Sequence, residues 1–237
     1  MSFPGSHTGL VLVFDLDQTL IDSNGIDPLM RDNMRTLKAA LNPTILEIID
    51  RAEELSRERP GSIDAFLLLT NNNAAKYISD VCTLIAKRYA VRSSNNSSNF
   101  RRVLNSENAR IDGANPLFFD YIMMRGNKHR GNMVKSLTDV RTMLDALGIG
   151  TSDLPRRTFF FDDGEHPSMR YDLESHPYHY IQIKSDVPYA GFSKGHPDTT
   201  DYSTIKRALA ESPANDNMSG GKRKTRRNKK RSTRRRG

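Results

Sequence analysis

Five short apolar runs stand out along the chain, separated by polar or amphipathic stretches. The first, LVLVF at residues 10–14, is continuous rather than alternating and stops abruptly at an aspartate. A continuous apolar run of this length is typical of a strand that is buried on both faces of a parallel sheet. The predicted strands cover residues 10–14, 63–69, 118–124, 158–161 and 178–183.

Helices are predicted between these strands. Asp27-Pro28 and Asn42-Pro43 each place a capping side chain before a proline at the first helical position, and Gly148 stands where a helix C-terminal cap is expected. The predicted helices cover residues 28–41, 43–57, 74–89, 132–147 and 203–211. Alternating strands and helices imply right-handed crossovers. We therefore expect an α/β, Rossmann-like fold: a parallel sheet of about five strands flanked by helices, with a small helical insert after the first strand.

One compact domain with extensions at both ends is expected from a chain of 237 residues. Residues 91–114 are rich in Ser, Asn and Arg, which indicates a polar excursion before the third strand. The expected organisation is an N-terminal extension at 1–8, the domain at 9–200 with its helical insert at 28–58, a short helix and linker at 201–221, and a disordered basic tail at 222–237.

The formal net charge of +8 originates in the C-terminal tail. Residues 222–236 hold 11 Lys and Arg and no acid, whereas residues 1–221 carry 25 basic and 28 acidic residues. Mutual repulsion keeps such a tail extended. It can attract a polyanion such as nucleic acid nonspecifically, or serve as a nuclear address. In composition it resembles the C-terminal tails of many proteins of large DNA viruses.

The sequence predicts an intracellular protein, cytoplasmic or nuclear. Cys82 is the single cysteine, which excludes a disulfide framework and a thiolate zinc cluster. No apolar run approaches the roughly 20 residues that cross a bilayer. The N-terminal segment also lacks the basic start of a signal peptide. We therefore expect neither a membrane partner nor secretion.

Polar side chains follow three of the predicted strands. Asp15 and Asp17 follow the first strand, Thr70 follows the second, and the pair Asp162-Asp163 follows the fourth. The carboxyl ends of parallel strands form the ligand site in open α/β sheets. If the ligand is a phosphate ester, a carboxylate can attack its phosphorus only when the negative charge of the phosphate is offset. Mg²⁺, which prefers oxygen ligands, and a lysine can supply that offset.

The segment VFDLDQTL resembles motif I of the haloacid dehalogenase superfamily, in which an apolar strand precedes Asp-x-Asp-x-Thr. Thr70, Lys135 and the pair Asp162-Asp163 match motifs II, III and IV of that superfamily in order. The resemblance covers roughly residues 9–185. It implies a phosphatase domain that hydrolyses phosphomonoesters with Mg²⁺ through an aspartyl-phosphate.

The resemblance also implies a role for each motif residue. Asp15 would be the nucleophile, and Asp17 would be the general acid and then the general base. Thr70 and Asn71 would bind the phosphoryl oxygens. Lys135 would neutralise the charge of the phosphate and of Asp15 in the transition state.

The same resemblance implies a magnesium site. Asp15 and the backbone carbonyl of Asp17 would be ligands. Of the two acids that follow the fourth strand, Asp163 would bind the metal directly and Asp162 would support it. Three polar residues near the motifs could line the substrate mouth but are interpreted as exposed loop groups: Asp22, Glu165 and His166. Three further residues before Lys135 are interpreted as solvated loop charges: Lys128, His129 and Arg130.

Three segments favour a particular substrate class. These segments most resemble those of the protein-serine phosphatases that act on the C-terminal domain of RNA polymerase. They are DLDQT, FDYIMMR, which precedes the loop that leads to Lys135, and FFFDD. A phosphoprotein is therefore the favoured substrate. The alternatives are a small metabolite or nucleotide, if residues 28–58 act as a lid, and the 3′-phosphate of a nucleic acid held by the tail. A non-enzymatic alternative is a nucleic-acid-binding protein that works through its tail.

Overall fold

One five-stranded sheet forms the centre of the fold. The computed structural model describes residues 9–93, 118–127, 130, 134–176 and 179–183. The strands are β1 (Leu10–Phe14), β2 (Ile63–Leu69), β3 (Tyr121–Met123), β4 (Thr158–Asp162) and β5 (Tyr180–Gln182). All pairings are parallel, and the strand order is β3-β2-β1-β4-β5. The expected α/β, Rossmann-like fold with helices beside a parallel sheet is confirmed.

Helices cover both faces of this sheet. They are a 3₁₀ helix (Pro28–Met30), α1 (Met34–Ala39), α2 (Pro43–Glu58), α3 (Ala75–Ser93), α4 (Leu137–Ala146), α5 (Leu154–Arg157) and α6 (Pro167–Asp172). The predicted caps are confirmed for α2 and α4. The side chain of Asn42 accepts hydrogen bonds from the backbone nitrogens of Thr44 and Ile45, and Gly148 follows α4 with a φ of 69°.

Alternate residues of β1 enter two separate hydrophobic layers. Leu12 and Phe14 pack with the apolar faces of α2 and α3, whereas Val11 and Val13 pack with α4 and α6. The ring of Phe14 stacks on Phe161 of the neighbouring strand, with centroids 4.7 Å apart. This burial on both faces places β1 in the middle of the sheet, so the residues that follow it lie at the centre of one edge.

The helix expected at 28–41 is interrupted. The 3₁₀ helix stops at Met30, and α1 starts again at Met34. Asn33 is the cause, because its side-chain oxygen accepts hydrogen bonds from the backbone nitrogens of Arg35 and Thr36. An asparagine in this position begins a new helix instead of continuing the preceding one. The insert between β1 and β2 therefore consists of two short helices and the long helix α2.

Other elements are shorter than the sequence predicts. The expected strand 118–124 is reduced to β3, because the carboxylate of Asp120 accepts the hydrogen bond of the Phe66 nitrogen in place of a backbone carbonyl. The helix expected at 132–147 begins at Leu137, where Asp172 accepts a hydrogen bond from the backbone nitrogen. The short helices α5 and α6 were not predicted.

Several sequence predictions lie outside the described residues. These are the N-terminal extension, most of the polar excursion, the helix at 203–211 and the basic tail. They stay predictions. Among the helices that the structure does describe, none combines the length and the apolar character needed to cross a bilayer.

Candidate functional site

A cleft of about 510 Å³ opens at the carboxyl edge of the sheet. Asp15 lies in it directly after β1, Thr70 directly after β2, and Asp162 at the end of β4. Lys135, which stands two residues before α4, also lines the cleft. The sequence predicted that the polar residues at the strand ends meet at one edge, and the structure brings these four together.

Ladder hydrogen bonds continue one residue past the strands and fix the backbone of the site. The nitrogen of Asp15 donates to the carbonyl oxygen of Phe161 at 2.8 Å, and the nitrogen of Thr70 donates to that of Met123 at 3.0 Å. The two residues therefore share the rigidity of the sheet, although their side chains point into the cleft.

Lys135 joins two carboxylates in the floor of the cleft. Its Nζ lies 2.5 Å from Oδ1 of Asp15 and 2.5 Å from Oδ2 of Asp162. The lysine side chain is only 1% exposed, and those of the two aspartates are 8% and 2% exposed. Charges are rarely buried to this extent unless they are paired, because desolvating them costs several kcal/mol each. Burying such a triad lowers the stability that a fold could otherwise reach, so the triad is a candidate functional site.

The start of α4 holds Lys135 in place. The carboxylate of Asp139 accepts a hydrogen bond from the backbone nitrogen of Ser136 at 2.9 Å. The carboxylate of Asp172 accepts one from the nitrogen of Leu137 at 2.9 Å. Both acids satisfy donors at the N-terminus of α4, so the residue just before this end has a fixed backbone position.

Asp162 has further partners besides the lysine. Its Oδ1 accepts a hydrogen bond from the nitrogen of Gly164 at 2.8 Å, and its Oδ2 lies 3.2 Å from Nε2 of His166. Burial alone would raise the pKa of Asp162, but the hydrogen bond to His166 and the charge of Lys135 outweigh burial and hold the pKa below its usual value. These contacts favour the ionised form of Asp162.

Asp15 and Asp163 have the opposite electrostatic environment. Burial raises the pKa of Asp15, aided by the charge of Asp162 and opposed by Lys135. Burial and the charge of Asp162 also raise the pKa of Asp163. Two more carboxylates near Asp162 thus form an excess of negative charge that the single Lys135 does not neutralise. A bound cation would relieve this excess.

Three carboxylates are close enough to share one metal ion. Asp15, Asp162 and Asp163 can each offer one oxygen such that these oxygens lie within 4.8 Å of one another. A set made only of carboxylate oxygens suits a hard divalent cation such as Mg²⁺ and disfavours metals that prefer nitrogen or sulfur. The residues therefore fit a metal of the predicted class. The expected ligand from Asp17 is its backbone carbonyl, and that assignment stays a prediction.

The loop after β2 is held by an arginine that sequence reasoning misinterpreted. Arg130 donates to the carbonyl oxygen of Thr70 at 2.7 Å and to Oδ1 of Asn71 at 2.5 Å. Only 7% of Arg130 is exposed, so its interpretation as a solvated loop charge is wrong. The hydroxyl oxygen of Thr70 accepts from the nitrogen of Asn72 at 3.0 Å. Both predicted phosphate-binding residues thus line the cleft on a loop with a fixed shape.

Two residues that the sequence did not single out bind the carboxylate of Asp17. Nδ2 of Asn72 donates to Oδ2 of Asp17 at 2.7 Å, and the hydroxyl of Tyr77 donates to Oδ1 at 3.3 Å. Burial and the charge of Asp17 raise the pKa of Tyr77, so the hydroxyl keeps its proton. Asp17 lines the cleft, and its two carboxylate oxygens accept these hydrogen bonds from the β2–α3 connection and the start of α3.

The polar residues expected to be exposed near the motifs differ in their environment. His166 lines the cleft with a side chain that is only 12% exposed, so its interpretation as exposed loop polarity is wrong. Residues 163–166 lie between β4 and α6, so no strand or helix periodicity in the sequence could have indicated this. Glu165 is 73% exposed, as expected, and Asp22 is half-buried beside the cleft without lining it. Lys128 and His129 lie outside the described residues.

No model of a known protein family matches this chain, and a comparison with curated proteins finds no match either. The likeness to the haloacid dehalogenase superfamily therefore stays a resemblance carried by the motif residues.

Proposed function

We propose that the protein is a Mg²⁺-dependent phosphomonoester hydrolase that forms an aspartyl-phosphate on Asp15. One observation carries the proposal: Asp15, Lys135, Asp162 and Asp163 come from three separate segments and converge on a single cleft. A fold gains little from burying such a charged set, whereas phosphoryl transfer needs a nucleophile, a cation site and a lysine at one point.

Mg²⁺ held by Asp15, Asp162 and Asp163 would supply positive charge opposite the phosphate oxygens. Lys135 adds a fixed positive charge beside Asp15, at 2.5 Å, where negative charge spreads in the transition state. Thr70 and Asn71, on the loop that Arg130 braces, would face the phosphoryl oxygens as donors. This preorganised set costs no rearrangement when the substrate enters.

The chain's own residues would divide the reaction into two steps. An oxygen of Asp15 bonds to phosphorus as the bond to the leaving oxygen breaks, and Asp17, acting as the general acid, gives a proton to that leaving oxygen. A water then bonds to the phosphorus of the aspartyl-phosphate while Asp17 takes a proton from it. Asp15 leaves, and inorganic phosphate is released.

A phosphoprotein is the substrate class that we favour. Within the described residues, the only insert next to the cleft is the segment between β1 and β2, and no second domain covers the opening. An open cleft admits a phosphorylated side chain that belongs to a large partner. Turnover of nucleoside or sugar monophosphates without turnover of a phosphoserine peptide would instead favour a small metabolite.

The direct test is Mg²⁺-dependent hydrolysis of p-nitrophenyl phosphate by three proteins. We expect the wild type to be active, and we expect Asp15→Asn to lose activity by about a thousandfold or more, because an amide cannot attack phosphorus. Asp145→Asn, the same substitution at an exposed position of α4, is the matched control. Full activity in Asp15→Asn, or wild-type activity that does not respond to chelation of Mg²⁺, would contradict the proposal.

A further inference from the structure

We propose that Asn72 and Tyr77 are positioning residues that hold the carboxylate of Asp17 in the cleft for both proton transfers. This inference rests on the proposed function, because it assigns partners to the group that would act as acid and then as base. Neither residue belongs to the four motifs. Both are contributed by the β2–α3 connection and the first turn of α3.

The two contacts restrain both oxygens of one carboxylate. Asn72 donates to Oδ2 of Asp17 at 2.7 Å and Tyr77 donates to Oδ1 at 3.3 Å. One contact would leave the carboxylate free to rotate about its terminal bond, whereas two contacts on opposite oxygens fix its plane. Each carboxylate oxygen has two acceptor positions, so a transferable proton still has a place on Asp17.

The amide of Asn72 is itself oriented by its surroundings. Its Oδ1 accepts a hydrogen bond from the nitrogen of Ala74 at 2.8 Å, and its backbone nitrogen donates to the hydroxyl oxygen of Thr70 at 3.0 Å. The oxygen end of the amide is therefore occupied by a donor, and the nitrogen end faces Asp17. This double role explains why an amide, with one donor end and one acceptor end, suits the position.

Tyr77 reaches Asp17 from a rigid support. The residue is 5% exposed and belongs to the hydrophobic layer formed by α2, α3 and one face of the sheet. Its ring cannot move without disturbing that layer, so the hydroxyl is a fixed donor. Asp17 itself stands in the loop after β1, where backbone hydrogen bonds such as that from the Gln18 nitrogen to the Ile21 carbonyl oxygen hold the main chain. Those bonds do not restrain the side chain, so the contacts with Asn72 and Tyr77 are what orient the carboxylate.

If Asn72 and Tyr77 position Asp17, the effect of their substitution on the reaction rate should depend on the leaving group. A purely structural role would not give this dependence. A nitrophenolate leaves without a proton, whereas an alkoxide must be protonated as it leaves. Misplacing Asp17 should therefore slow cleavage of benzyl phosphate much more than cleavage of p-nitrophenyl phosphate. The two substrates are similar in size, so a change in binding affects both alike. The parameter to compare is kcat/KM, because it excludes the later hydrolysis of the aspartyl-phosphate.

Two variants separate the contacts from the fold. Asn72→Ser keeps a side-chain acceptor for the nitrogen of Ala74 but removes the donor to Asp17, and Tyr77→Phe removes only a hydroxyl. Each has a matched control outside the cleft. Asn33→Ser makes the same change at the exposed cap of α1, and Tyr171→Phe makes it at a side chain that is 76% exposed.

We expect each test variant to lower kcat/KM for benzyl phosphate by roughly ten- to a hundredfold, which is part of what a general acid contributes. The kcat/KM for p-nitrophenyl phosphate should change by less than about threefold. Both controls should match the wild type on both substrates. Equal losses on the two substrates, or no loss on benzyl phosphate, would overturn the positioning role and leave the proposed hydrolase in place. A wild type that hydrolyses neither substrate would overturn both.

Discussion

Substitution of Lys135 is expected to have a large effect on the stability of the fold. Lys135→Met keeps the length and most of the apolar stem of the side chain but removes the charge that lies 2.5 Å from two buried carboxylates. Asp15 and Asp162 then stay buried without a cation between them. The perturbation is therefore electrostatic and leaves little or no cavity.

The expected loss can be worked from the burial of the triad. Breaking a buried ion pair by removing one partner costs about 3–5 kcal/mol, because the remaining charge is left uncompensated. The surroundings of Lys135 meet that condition, since 1% of its side chain is exposed and its partners are nearly as buried. We therefore expect the free energy of unfolding to fall by about 3–5 kcal/mol near neutral pH.

Urea denaturation of Lys135→Met and of Lys76→Met provides the comparison. Lys76 also contacts two carboxylates, Asp32 and Asp80, at 3.1 and 2.8 Å, but its side chain is 61% exposed. Solvent screens such pairs, so Lys76→Met should unfold at nearly the same urea concentration as the wild type. The two variants differ in burial and share the substitution. Similar destabilisation in both would refute the reasoning.

The pH dependence of the Lys135→Met deficit supplies a second check. Burial raises the pKa of Asp15 in the folded state to about 7, above that of the unfolded chain, so the free energy of unfolding falls as the pH rises toward about 7. Losing the lysine charge raises this pKa further, so in the variant the fall continues to higher pH. The deficit relative to the wild type should therefore grow as the pH rises from about 6 to about 8, because the folded wild type loses the Asp15 proton in this range and the folded variant keeps it. A deficit that stays constant across this range would contradict the uncompensated-charge explanation.

Two further outcomes follow from other contacts. Arg130→Lys should lower kcat/KM by about tenfold or more, because a single ammonium cannot replace the guanidinium fork that binds both Thr70 and Asn71; unchanged steady-state kinetics would contradict this. Burial lowers the pKa of His179 in the folded state, so below pH 6.5 the unfolded chain binds more protons than the folded one. As the pH is lowered, the free energy of unfolding should therefore fall more steeply in the wild type than in His179→Phe. Parallel denaturation profiles would contradict this.

The residues of the site that sequence reasoning predicted share one property: they stand directly after buried strands. The continuous apolar runs LVLVF and TFFF end at Asp15 and Asp162, and a parallel sheet necessarily brings such ends to one edge. The burial of Lys135 between the two carboxylates agrees with the role that the resemblance implies for it. The apolar runs and the polar residues that end them were sufficient to predict this part of the site.

The remaining parts of the site depend on how loops fold against one another. The contact between Asn72 and Asp17 joins residues 55 apart, and that between Arg130 and Thr70 joins residues 60 apart. No periodic pattern records which loop side chains meet, because their backbone lacks the repeating geometry of a strand or helix. The break in the helix at 28–41 had a local cause in Asn33, yet an asparagine caps a helix only when its own backbone takes an extended conformation.

The claim that Asp15 carries the phosphoryl group can be tested on the protein itself. Borohydride reduces an aspartyl-phosphate to homoserine, and peptide mass spectrometry locates the change. After turnover with Mg²⁺ and p-nitrophenyl phosphate, we predict homoserine at residue 15, and none when Mg²⁺ is chelated or in Asp15→Asn. Homoserine at another aspartate, or an unmodified Asp15 in a protein that is releasing phosphate, would contradict the account.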